Sequence, residues 1–343
     1  MSIKLSICIA TMNRGSFIGD TLDSIINQAT SDCEIVVLDG ASTDDTAQVV
    51  AARRRRFERL RYIRQAENNG IDQDFDRAVE LSRGEYCWLF SDDDLLKTGA
   101  LNTVLRVLQD DFSLVLVNGE HRDFTMTKVH VPNFFMMDSD KVYSAGDMDG
   151  LFADLGRCLI CICCVVIKRS VWLERDRKAY YGSRFIHMGV IFQQPLPQGA
   201  YAISSVLMSL RLGNAQTHAR DGFLVWYIKL PWLIWSLPIS EATKISFSNP
   251  EPWKDFTYLL ALRSVGAYSS LEYKRSVRPL LQSVRSRVIP MLVGHTPRKV
   301  ARWLGLLISS VGKRYKLSHT PWKKTHPDSW NQYVDGLEGG ASH

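Results

Sequence analysis

The sequence contains no apolar run of membrane-spanning length. Its longest are residues 158–167, about ten residues, and 223–239, which Lys229, Pro231 and Pro238 interrupt, whereas a bilayer core needs about 20. Cysteine is sparse and odd in number, seven in 343 residues, which excludes a small disulfide-stapled scaffold. The opening MSIKLSICIA lacks a basic segment followed by an apolar core and a small-residue cleavage site. No secretory leader is therefore expected, and a reducing, cytoplasmic compartment follows. Glycine (22) and proline (12) are too few for a collagen-like or low-complexity chain, and 45% hydrophobic with 23% charged residues is the balance of an ordinary folded protein of about two structural units. Acids are nearly missing from residues 263–325, which hold 14 Lys and Arg against Glu272 alone. That stretch carries +13 and the rest of the chain −7. Opposite signs suggest an acidic part able to hold a metal and a basic part able to meet an anionic surface.

What is present begins with alternating strand and helix patterns. Lys4 to Thr11 is a β-branched and apolar run entering the loop Met12 to Gly15, and Ile18, Leu22, Ile25 and Ile26 then recur at helical spacing. Further strands are predicted at 33–38, 60–64, 86–90, 114–118 and 159–167, with helices at 46–60, 71–82 and 99–108. Repeated units of this kind predict an α/β fold with a right-handed, doubly wound and mostly parallel sheet flanked by helices. In such sheets ligands bind at the carboxyl ends of the strands. The small polar and acidic clusters Thr11 to Arg14, Asp39 to Asp45 and Ser91 to Asp94 fall there, so they should converge on one rim.

Asp92, Asp93 and Asp94 repel one another unless a cation or solvent relieves them, and carboxylate oxygens suit Mg²⁺ or Mn²⁺. The plainer reading is a solvated turn capping the next helix. Ser42 or Thr43 reads as a helix cap, which leaves Asp39 unexplained. Cys158, Cys161, Cys163 and Cys164 look like a zinc set, but at strand spacing Cys161 and Cys163 share a face while Cys164 points away, a poor tetrahedral geometry. The arginine run 53–56 reads as the wet face of a surface helix, and nothing else supports nucleic-acid binding. From Phe223 the texture becomes helical, aromatic and basic. The predicted organisation is a catalytic unit over 1–215, a helical C-terminal region over 216–330 and a loose tail over 331–343.

Four blocks in order resemble the family 2 nucleotide-sugar glycosyltransferases, which have the GT-A fold. Ser6-Ile7-Cys8-Ile9-Ala10-Thr11-Met12-Asn13-Arg14 is similar to their first strand and Leu38-Asp39-Gly40-Ala41-Ser42-Thr43-Asp44-Asp45-Thr46 to their second. Asn68-Asn69-Gly70, Gly84-Glu85-Tyr86 and Ser91-Asp92-Asp93-Asp94 follow. Three departures accompany the match: Gly40 stands for the second Asp of a D-D pair, Ala10 for a Pro, and Ser91 for the first Asp of D-x-D-D. The resemblance implies that Thr11, Asn13, Arg14, Asn69, Ser91 and Asp92 lie by the nucleotide and that Asp39 contacts a pyrimidine base. It also implies that Asp93, or Asp92 with Asp94, holds Mn²⁺ or Mg²⁺ bridging the diphosphate, with Asp93 at the catalytic centre.

After residue 100 the likeness thins. The family's E-D pair, which carries its catalytic base, is missing, and His187 is the titratable replacement there; the alternative is a structural histidine. Arg211, His218 and Arg220 sit where the family closes a segment over the donor diphosphate. The Ser-Asp-Asp-Asp block and Leu230 to Trp235 look similar to bacterial abequosyltransferases, which use a CDP-sugar in O-antigen synthesis. The expectation is transfer of a sugar, such as a 3,6-dideoxyhexose, from a CDP-sugar or UDP-sugar to a lipid-linked saccharide. The enzyme would be peripheral on the cytoplasmic face of a bacterial inner membrane, bound through Trp-rich segments and basic amphipathic helices. Inversion or retention stays open. A nucleotidyltransferase and a non-catalytic saccharide-binding scaffold are the other classes; Met12 to Gly15 makes a poor phosphate loop for the first.

Overall fold

The computed structural model describes residues 3–214 and 222–311, with side chains to 305, and divides into two units, Met1–Asn214 and Ala215–His343. In the first, β1 (Leu5–Thr11) and β2 (Cys33–Asp39) are buried along their whole length. That is why they read as continuous apolar runs rather than alternations: a parallel strand covered on both faces has no wet side. Helices α1 (Gly15–Ile26), α2 (Thr46–Arg54) and α3 (Ile71–Leu81) connect them with β3 (Leu60–Arg64) and β4 (Tyr86–Phe90). Arg53 and Arg56 of the basic run pair with Asp23 on α1, as expected of a surface helix.

The chain continues through β5 (Leu95–Leu96), α4 (Ala100–Val107), β6 (Leu114–Arg122), β7 (Val129–Val131), β8 (Lys141–Tyr143), α5 (Met148–Leu155), β9 (Val165–Lys168), α6 (Arg169–Glu174), α7 (Ile186–Phe192) and β10 (Ala200–Arg211). The sheet order is β3-β2-β1-β4-β9-β6-β10-β5, with β7 on β6 and β8 on β10. The parallel part is β3-β2-β1-β4, rejoined by β6 with β10. Between them β9 runs antiparallel to both β4 and β6.

The strand expected over 159–167 is much shorter. Residues Cys158–Ile160 and Ile162–Cys164 form two tight 3₁₀ turns, and only Val165–Lys168 pairs. The strand spacing used to judge the cysteines therefore does not exist. Burial raises the thiols of Cys158, up to about 12, and Cys164, up to about 11, and so keeps them protonated.

In the second unit, Leu230–Ser236 forms α8, Glu241–Phe247 α9, Phe256–Ser264 α10, Val284–His295 α11 and Arg298–Val311 α12. Its core gathers Phe223, Trp253, Leu259, Tyr268, Val277 and Val293. Much of the Trp-rich segment is consumed here: Leu230, Leu233, Ile234 and Leu237 are buried. On α12 the inward stripe runs through Ala301 and Leu304, while Val300 is exposed. None of the described helices is long and apolar enough to cross a membrane.

Candidate active site

The carboxyl ends of β1, β2, β4 and β10 share one rim, and the first two loops interlock. Asn13 accepts from the Thr43 amide (2.7 Å) and its own amide donates to Ser42 Oγ (2.8 Å). The Arg14 amide donates to Thr46 Oγ1 (2.9 Å) and the Gly15 amide to Asp44 (3.0 Å). Burial works against the Asp44 charge, but hydrogen bonds from Thr46 and Gly15 hold its carboxyl below the ordinary value. Asn13 and Ala41 both take the left-handed backbone, φ 56° and 67°, a strain that non-glycine residues carry when the surrounding bonds over-determine it. These bonds leave the Arg14 side chain projecting over the end of β4.

There Arg14 bridges two carboxylates: Nε donates to Asp92 (3.1 Å) and Nη2 to Asp93 (2.8 Å). Asn214, just past β10, donates to Asp93 (2.7 Å) and accepts from Arg14 (3.2 Å). Burial pushes the Asp92 carboxyl up to about 6, against the pull of Arg14. The Thr11 hydroxyl is buried beside it without a well-formed hydrogen bond. Two cations lie over the ring of Phe17, with the Arg14 guanidinium 4.8 Å and that of Arg211 5.3 Å from its centre.

Asp94 has a different part. One carboxylate oxygen accepts from the Arg211 amide (2.8 Å), the other from Ser91 Oγ, and its carbonyl accepts from Thr21 (2.9 Å). It is buried, and burial together with the Asp93 charge raises its carboxyl to about 7. Asp94, expected as a metal ligand, thus bonds the end of β4 to the end of β10, and Ser91, expected at the nucleotide, donates to it. Arg211 is likewise tied down, through Nε to the Asp93 carbonyl (3.1 Å) and Nη1 to the Phe124 carbonyl. His218 and Arg220 lie outside the described residues.

Whether these residues suit a divalent ion turns on Arg14. Asp92 and Asp93 supply oxygen donors of the right kind, but they already share one guanidinium. Among the described residues no group of three His, Cys, Asp or Glu is set to hold a metal. The donor set suits Mg²⁺ or Mn²⁺ once Arg14 withdraws.

Along the rim, Asp39 accepts from the Ser42 amide (2.7 Å) and from Tyr62 Oη. Burial and Asp39 raise the Tyr62 phenol, so it stays protonated and donates. Gln65 donates to Asp74, and Asn69 donates to Gln65 (3.0 Å), which places Asn69 with Asp39 and Asp74 and away from the aspartate trio. Burial, with Asp39 nearby, pushes Asp74 up to about 6. A Cβ on Gly40 would come 3.0 Å from Asp74 Oδ2. Asp74 thus occupies space that a side chain at position 40 would enter. Sequence spacing missed Asp74, Tyr62 and Asn214; the one available signal was Asp72-x-Asp74 in the first turn after Asn69-Gly70.

His187 does not reach this rim as a proton acceptor. All of α7 is buried, and His187 Nε2 lies 2.6 Å from the Leu159 carbonyl, to which it must donate. Burial drives its pKa down to about 4. The expected catalytic base is instead a neutral core residue, on a helix whose entry is held by Asp72 accepting from the Arg184 (2.8 Å) and Ile186 (3.1 Å) amides.

Comparison with known proteins completes the description. Residues 6–171 match the family model described as glycosyl transferase family 2. The abequosyltransferase RfbV of Salmonella typhimurium is 27% identical over 198 residues, 54% of this chain and 60% of that protein. A GalNAc(5)-diNAcBac-PP-undecaprenol beta-1,3-glucosyltransferase of Campylobacter jejuni is 32% identical over 116 residues, 34% of this chain and 38% of that one. The matches thus span less than two thirds of these relatives. The crystal structure of S. aureus TarS 1-349 in complex with UDP-GlcNAc superposes with a TM-score of 0.55 at 14% identity, over 98% of this chain and 89% of that chain. This likeness concerns the fold.

Proposed function

We propose that the protein, whose residues 6–171 match the glycosyl transferase family 2 model on a GT-A sheet, transfers a sugar from a nucleoside-diphosphate donor to a lipid-linked saccharide during surface-polysaccharide assembly. The observation that carries this reading is the meeting of Arg14, Asp92, Asp93 and Asn214 at the carboxyl rim, with Asp39, Tyr62 and Asp74 further along it. The second group offers acceptors and a phenol to a nucleobase. The first offers carboxylates and a guanidinium to a diphosphate. Asp92 and Asp93 would hold Mn²⁺ or Mg²⁺, which when bound neutralises charge developing on the departing diphosphate. Arg14, 14% exposed in its side chain, is in place to bind phosphate oxygens as it leaves the carboxylates. The likeness to an abequosyltransferase and to a glucosyltransferase named for an undecaprenol acceptor supports a CDP-sugar donor, such as one carrying a 3,6-dideoxyhexose, and a lipid-linked acceptor at the cytoplasmic membrane surface.

Titration calorimetry of CDP, UDP, GDP and TDP, each with and without Mn²⁺, tests the assignment on the wild type and on Asp93→Asn. One diphosphate should bind, more tightly with metal, and the metal gain should vanish in the variant. Absence of binding by all four would reject a nucleotide-sugar site.

A further inference from the structure

The C-terminal unit carries an exposed face that its own core does not use. Helix α11 buries Pro290, Val293 and Gly294. At about 100° per residue the opposite arc presents Val284, Val288, Leu292 and Ile289, which are 76%, 42%, 58% and 51% exposed. Arg285 stands exposed on the same arc. An aliphatic arc on a helix normally packs against the core, and here one faces out. On α12, beyond the short link Thr296-Pro297, Trp303 is 60% exposed, with Lys299 and Arg302 exposed on its side of the helix.

Charge decides what covers this face. Between residues 263 and 305 the only acid is Glu272, and its carboxylate accepts from Ser269. Lys274, Arg275, Arg278, Arg298 and Lys299 are all exposed. A second copy of the same surface would bring like charges together, and an ordinary protein partner would have to be both acidic and greasy. An anionic bilayer answers both features: acyl chains take the aliphatic residues, the interface takes Trp303, and phosphate headgroups take the arginines and lysines.

We propose that the outward face of α11, with Trp303, Lys299 and Arg302 of α12, is a docking surface for an anionic lipid bilayer, entered in plane and not crossed. This deepens the reading of a lipid-linked acceptor, but its test involves neither nucleotide nor sugar, so either can fail alone. The full-length protein is sedimented with vesicles of phosphatidylcholine containing one-third phosphatidylglycerol, and with pure phosphatidylcholine. Binding should be confined largely to the anionic vesicles and should weaken with added salt. Val288→Glu with Leu292→Glu should weaken it by about tenfold or more, and Lys299→Ala with Arg302→Ala by about tenfold as well. Melting temperatures should stay near wild type because all four side chains are exposed; the lysine–arginine pair keeps the test valid if the glutamates disturb folding. Failure of the wild type to bind anionic vesicles overturns the proposal, as does unchanged binding by both folded variants. So does a dimer in light scattering that Val288→Glu with Leu292→Glu disperses, since the face would then belong to a second copy.

Discussion

At the scale of the residue, Arg14 decides the state of the site. Its guanidinium bonds to Asp92 and Asp93 together, so a metal ion must compete with an internal cation whose removal leaves two partly buried carboxylates unpaired. In the nucleotide-free protein the Arg14→Ala variant should therefore bind Mn²⁺ about tenfold more tightly than wild type, while losing affinity for the nucleoside diphosphate. Electron paramagnetic resonance of free Mn²⁺ reads the first and calorimetry the second. Equal Mn²⁺ affinity in the two proteins would remove Asp92 and Asp93 from the metal assignment. The three aspartates show how little composition says about role. Adjacent and chemically identical, two face Arg14 and the third binds Ser91 and the Arg211 amide, a division made largely by residues 78 to 117 positions away in the chain.

At the scale of the element, Asp94 joins the end of β4 to the end of β10. Asp94→Ala should cost roughly 2 kcal/mol, since two hydrogen bonds to a buried carboxyl disappear, or about 4–8 °C in a unit of this size. Asp93→Asn keeps the shape of a less buried side chain and should change the melting temperature little. Scanning calorimetry separates the two, and equal melting temperatures for Asp94→Ala and wild type would contradict the structural assignment.

The strands β1, β2 and β4 were legible in the sequence to within a residue of their ends because each is a short apolar run closed by a polar turn. The rim followed from their order. Residues 158–164 misled because a buried apolar run has no period to distinguish strand from turn. His187 misled because its identity is visible and its burial is not. Tyr62 and Asn214 were out of reach for another reason: their partners Asp39 and Asp93 lie 23 and 121 positions away, and only the folded sheet sets them side by side.

At the scale of the whole molecule, pH dependence follows from the buried acids. Asp74 and Asp92 are raised to about 6 and Asp94 to about 7 from an ordinary 3.8. Between pH 4 and 7 the folded protein therefore holds more protons on these groups than the unfolded chain. Their contribution is fully present below about pH 4 and is lost as pH rises through 6 to 7. His187, lowered to about 4, works the other way, its contribution being lost as pH falls from 6.5 to 4. Three acids against one histidine predict a melting temperature higher near pH 5 than at pH 8. Asp74→Asn should flatten the slope, and Mn²⁺ with the bound diphosphate should recover stability at pH 8. Thermal melts across this range check each statement; a profile rising from pH 5 to 8 would show that the carboxylates ionise without penalty.

The exchange at Gly40 and Asp74 also constrains how such a chain can change. One acidic side chain fills a place that another acid, offered from the β2 turn, would otherwise take. Gly40→Asp alone would press two like charges into one space, and Asp74→Ala alone would leave it without an acid. A lineage passing from one arrangement to the other by single substitutions must cross an intermediate worse than either end, so the two positions should be strongly epistatic.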